Sequence, residues 1–133
     1  MAKYLPMHDS SQAIPKEDLQ KFENQYKYNS KAIAALKSIE NNNGNIVATI
    51  QEISENTGVQ VSIILQSLDN QCRNILRDKD VSEDLPDLAN TMVSGVTVAA
   101  LLASHATLVP FAPLLGYCAA LAVKKGIKLY TRE

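Results

Sequence analysis

From Leu88 to Val123 the chain runs for 36 residues without a lysine, arginine, aspartate or glutamate. A helix made from such a stretch is apolar on every face, so its place is inside protein or inside lipid rather than in water. Pro110 and Pro113 argue against one straight helix, because each removes a backbone donor and crowds the preceding turn. The simplest reading is a helix from about Pro86 to Ser104, a turn at Ser104-His105, and a second helix ending at Lys124-Lys125. This is an apolar helical hairpin occupying 86–130.

The halves 88–104 and 107–123 hold 17 residues each, at the lower limit of about 17 for a membrane-crossing helix. Val93, Val96, Leu101, Leu102, Leu108, Phe111, Leu114, Leu115 and Leu121 are the candidate contacts with lipid or with another copy of the chain. Ser94, Gly95, Ala99, Ala100 and Ala103 would face Gly116, Ala119 and Ala120, and small side chains let helices approach closely. Lys124, Lys125, Lys128 and Arg132 form a basic flank. Positive charge beside a span marks its cytoplasmic side, which would put both termini in the cytoplasm, with the hairpin at the inner membrane. The same pattern describes a hairpin buried in a soluble bundle or at a homo-oligomer interface. In general character the segment is similar to the hydrophobic hairpin of pore-forming bacterial toxins, a likeness of composition confined to the hairpin.

The formal charge of −1 conceals a division. Residues 1–87 carry nine Lys/Arg against thirteen Asp/Glu, and residues 88–133 carry four against Glu133 alone. Such a split points to two environments within one chain. Residues 1–14 read as a flexible N-terminal arm, without a signal-peptide pattern, so secretion by that route is not expected. A helical domain is expected over 15–80. Pro15 sits at a first-turn position with Glu17 and Asp18 behind it, favouring a helix to about Tyr28. Ser30 is a candidate cap for a second helix, whose stripe is Ile33, Leu36 and Ile39. Asn41-Asn42-Asn43-Gly44-Asn45 stops it. Thr49 and Glu52 have capping-box spacing for a third helix. A fourth, from Gln60 or Val61 towards Arg77, carries the stripe Val61, Ile64, Leu65, Leu68, Cys72, Ile75, Leu76.

The run Thr49-Ile50-Gln51-Glu52-Ile53-Ser54-Glu55-Asn56-Thr57-Gly58-Val59-Gln60-Val61-Ser62-Ile63-Ile64-Leu65-Gln66-Ser67-Leu68 resembles the helix-turn-helix of winged-helix and repressor families. Ser54 is small where the helices would touch, and Gly58 permits the turn. The resemblance implies a tri-helical core with 30–39 as support helix. It also implies a contact surface at Gln60, Val61, Ser62, Ile63 and Gln66, with Arg73 and Arg77 beyond. A DNA reader presents polar and basic side chains to bases and phosphates. Here Val61, Ile63 and Leu65 are apolar and the segment is acidic, so a protein partner fits better than DNA.

Cys72 and Cys118 sit in apolar helical contexts and read as buried free thiols. His8 lies in the arm. His105 lies at the hairpin turn, where its ability to charge near neutral pH would make the hairpin pH-sensitive. Metal-spaced Cys/His sets, Ser/His/Asp orders and phosphate-binding glycine loops are missing from the sequence, so neither an enzyme nor a cofactor is expected. The expectation is therefore all-α: a small helix-turn-helix-like domain followed by an apolar hairpin. Its expected role is that of a non-enzymatic membrane-associated or homo-oligomeric assembly protein, of the kind small bacterial or phage chains provide. The alternative is a DNA-binding regulator dimerising through the hairpin.

Overall fold

The computed structural model describes residues 2–4, 13–77 and 81–132. The fold is all-α, with one short strand pair. Strand β1 (Ala2–Tyr4) pairs antiparallel with β2 (Tyr130–Arg132), Lys3 opposite Thr131. The arm expected over 1–14 is thus tied at both described ends. Ile14 is a core residue, 2% exposed, and its N–H donates to the Gly44 carbonyl at 2.8 Å. Residues 5–12, including His8, lie outside the described residues.

Helix α1 (Lys16–Gln25) follows Pro15 and ends short of the expected Tyr28. Its last turn gives way at Tyr26, whose hydroxyl donates to Asp84 Oδ1 at 2.9 Å and accepts from the Leu85 N–H at 3.2 Å. Helix α2 (Ser30–Asn41) is capped by Asn29 rather than Ser30, through the Ala32 N–H. The two residues are comparable caps, so local chemistry left that choice open. The Asn-Gly stop forms as read, with Asn43 and Gly44 at φ 58° and 78°.

Helix α3 (Ile46–Thr57) corrects the capping box. Asn45 is the cap, accepting from the Ala48 N–H at 2.9 Å. Thr49 lies inside the helix, buried, with its hydroxyl donating to the Asn45 carbonyl, and Glu52 accepts from the Asn42 side chain. Starting at Ile46 aligns Ile46, Val47, Ile50 and Ile53 on one buried face. That burial decides the boundary over the weaker local signal. Gly58, at φ 76°, ends α3, and its N–H donates to the Ser54 carbonyl. Helix α4 (Val61–Leu76) buries Ile64, Leu65, Leu68, Cys72 and Ile75 as the stripe requires. Leu76 departs from it and is 66% exposed.

The first arm of the hairpin is broken. Asp84 caps α5 (Leu85–Ser94) through the Asp87 N–H, and α6 (Val96–Ser104) leaves it at 61°. The break is at Gly95. A Cβ there would lie 2.2 Å from the Gln71 side-chain amide, which presses on this point from α4. After His105, a 3-10 helix (Ala106–Phe111) carries Pro110, and α7 (Ala112–Lys125) begins just before Pro113. Gly126, at φ 67°, closes α7, and the Ile127 N–H reaches back to the Ala122 carbonyl at 2.8 Å. This back-bonded glycine stop satisfies carbonyls that the helix end would otherwise leave open.

Helix α7 is the centre of the molecule. Every residue from Leu115 to Ala122 is buried. It packs closest on α5 and also on α2, α3 and α4. Gly116 makes the α5 contact possible, because a Cβ there would stand 2.7 Å from both the Ala89 carbonyl oxygen and Val93 Cγ2. Leu36 of α2, Ile50 of α3, Ile64 of α4 and Leu121 of α7 belong to one buried cluster. The core therefore runs across the linker that separates the acidic and apolar parts of the sequence.

Candidate functional site

The exposed part of the uncharged segment is concentrated on α6 and the 3-10 helix. Helix α6 reads Val-Thr-Val-Ala-Ala-Leu-Leu-Ala-Ser. Its inner side packs on α4 through buried Val98 and Leu101. Its outer side carries Val96, 84% exposed, together with exposed Ala99, Ala100 and Ala103. The 3-10 helix continues this surface with exposed Ala106, Thr107, Val109 and Pro110, while Leu108 is buried. A helix apolar on both faces normally has both covered; here one face is open. His105 joins the two elements, half-buried, with its N–H on the Leu101 carbonyl at 3.0 Å.

The hairpin contacts read from the sequence divide into two sets. Leu101, Leu108, Leu115 and Leu121 are buried in the chain's own core. Val96 is exposed, and Val93, Leu102, Phe111 and Leu114 are half-buried. Residues Ala106–Lys125 make a 20-residue helical run long and apolar enough to cross a membrane, with half of its apolar stretch buried in the molecule.

The expected contact surface on α4 is less apolar than its sequence suggests. Gln60 is exposed, Val61, Ser62 and Gln66 are half-buried, and Ile63 is barely exposed at 37%. Arg73 is held by buried Asp69, Nε to Oδ2 at 2.9 Å, and Arg77 is exposed at the end of the helix. The basic flank is partly engaged as well. Lys124 donates to the Glu83 carbonyl, and Lys125 pairs with Asp18 of α1. Lys128 is exposed, and Arg132 lies in β2 opposite Ala2.

No known protein family, characterised protein or solved structure matches this chain. The chemistry of the surface must therefore carry the functional reading. Both cysteines are buried and free, and burial, with Asp69 nearby, pushes the Cys72 thiol up to about 12. Neither is poised as a nucleophile, since the reactive form is the thiolate. Among the described residues, no three His, Cys, Asp or Glu side chains stand together as a metal site.

Two features escaped the sequence reading. Asp69 and Gln71 are buried polar residues on α4. Asp69 accepts from the Leu129 N–H at 3.3 Å and fixes the chain leading into β2. Gln71 Oε1 is buried without a hydrogen-bond partner among the described residues. Polar residues within an otherwise apolar stripe were the available signal. The groups they meet, Leu129 for Asp69 and Gly95 for Gln71, lie sixty and twenty-four residues away and gave no local signal.

Proposed function

We propose that this protein is a non-enzymatic assembly protein that self-associates through the outer face of α6 and the 3-10 helix. The observation that supports the reading is the open α6 face: Val96, Ala99, Ala100 and Ala103 stand in solvent on a helix with no charged residue. Apolar faces of this kind mark interaction sites. Alanine side chains on the outer face favour a second helix as the occupant, because they let backbones approach closely and leave little to interdigitate with a rough surface. Covering this face needs no rearrangement of the core. Extracting α7 into a bilayer would strip α2, α3, α4 and α5 of their common partner.

A bilayer is the second reading, favoured by the length and apolarity of Ala106–Lys125. Fractionation of cells producing the full chain, with and without detergent, separates the two. Self-association predicts recovery in the soluble fraction without detergent, as a species larger than one chain. Recovery only in the membrane pellet, released by detergent, favours the bilayer. A soluble monomer retarded on DNA in a salt-dependent way would instead favour a regulator working through α3 and α4.

A further inference from the structure

Two hollows open on the side of the molecule where α2 passes the start of α7. The first, about 330 Å³, lies between the start of α2, α5 and α7, with Pro86, Ala89 and Val93 among its walls. The second, about 290 Å³, lies between α2 and the 3-10 helix, against Ala35, Phe111 and Leu114. Lys31 and Pro113 line both and stand between them. The first alone is within the usual range of small-ligand cavities, roughly 300–1,000 Å³.

Their charge is one-sided. Among the described residues, no aspartate or glutamate lines either hollow, and Lys31 is the one charged side chain in each. Lys31 is exposed and forms no ion pair among the described residues. Lys37, Lys125 and Lys124 are engaged, with Glu23, Asp18 and the Glu83 carbonyl respectively. The N-terminus of α2 borders the first hollow through Asn29, adding the positive end of one helix dipole. Tyr117 also lines it. Its ring is buried, its hydroxyl has no hydrogen-bond partner among the described residues, and burial together with the nearby Asp84 carboxylate holds that hydroxyl in its protonated, donating form.

We propose that this groove binds an aliphatic monocarboxylate, with the carboxylate at Lys31, the chain along the Pro86–Ala89–Val93 wall, and the Tyr117 hydroxyl available as a donor. An acyl chain with a single acidic head fits what the groove supplies: apolar walls, one unpaired cation at the N-terminus of α2, and a lining without a carboxylate among the described residues, Asp84 standing behind Tyr117. A polyanion would meet only one cation, and a neutral chain would leave it unused. The groove lies apart from the outer face of α6, so the inference does not depend on self-association.

Titration calorimetry of the full chain with decanoate, below its micelle concentration, tests this directly. Decanol and inorganic phosphate serve as parallel probes. Decanoate is expected to bind one per chain, and decanol about tenfold more weakly. Phosphate is expected to give no saturable signal. Lys31→Gln, an exposed change that leaves the core intact, should weaken decanoate about tenfold and leave decanol unchanged. Tyr117→Phe should weaken decanoate about fivefold, the loss of one hydrogen bond. Lack of decanoate binding, equal binding of decanoate and decanol, phosphate binding as tightly as decanoate, or an unchanged affinity in Lys31→Gln would each overturn the proposal.

Discussion

Gly95 and Gln71 define each other: the space that a Cβ on Gly95 would fill is occupied by the buried Gln71 amide, 2.2 Å away. Helices α5 and α6 part at this point, and α6 turns 61° to lie on α4. Gly95→Ala should destabilise the protein by about 1–3 kcal/mol, the usual cost of overpacking, with no propensity gain to offset it, because Gly95 is the extended cap of α6. Gln71→Ala should restore much of that loss when combined with it. Urea denaturation of the two single variants and the double variant measures the coupling. Additive losses would show that the two residues do not compete for the same space.

The α5–α7 contact is set in the same way but against backbone. The Ala89 carbonyl oxygen cannot swing aside as a side chain can, so Gly116→Ala should force the two helices apart. A loss of about 2 kcal/mol is expected, against a propensity gain of about 1 kcal/mol for replacing glycine in a helix. A rise in thermal midpoint on Gly116→Ala would contradict the close packing.

The cysteines offer a solvent-access test with a definite sign. Burial raises the Cys72 thiol to about 12, above its unfolded value of about 8.5. The folded state thus prefers the protonated thiol. This contribution to stability is fully present below about pH 8.5 and is lost as pH rises towards 12. Native protein should therefore resist a thiol-specific reagent at pH 8 and titrate both cysteines once denatured. Its urea midpoint should fall above pH 9, and fall less in Cys72→Ala. Rapid labelling of Cys72 in the native protein at pH 8 would contradict its burial.

Helix α7 supplies a common partner against which α2, α3 and α4 pack, so the first 87 residues are expected to depend on it for a stable core. Deleting 88–133 should leave a chain without a cooperative thermal transition, by circular dichroism. Leu121→Ala in the full chain should cost about 2–5 kcal/mol, as for other fully buried leucines. A truncated chain that melts cooperatively would show that the acidic part folds alone.

The sequence made the helices legible where the signal was local. The α4 stripe from Ile64 to Ile75, the Asn-Gly stop after α2, the glycine at 58 and the proline-led start of α5 form as read. Three features depended on distant partners. Burial of Ile46 and Val47 moved the start of α3 ahead of the Thr49–Glu52 pair. Gln71 broke a helix whose own sequence runs on through Gly95. The pairing of β1 with β2 joins residues at opposite ends of the chain, a match that no local pattern announces. The uncharged segment was legible as a segment that must leave water. Its division was not: composition is the same for α7, surrounded by the chain's own helices, and for α6, open on one side. Lys31 and Tyr117 were passed over because each is ordinary in its own helix, and only the fold brings them to one groove.

The open face of α6 carries the account, and the mass of the full chain in solution tests it most directly. Size-exclusion chromatography with light scattering, in detergent-free buffer, should give at least twice the 14.5 kDa of one chain. Ala100→Glu, which places a charge on the exposed face without touching the core, should return the mass to that of a single chain while preserving the thermal transition. A wild-type chain that remains at 14.5 kDa at high concentration, fully soluble without detergent, would contradict self-association through α6.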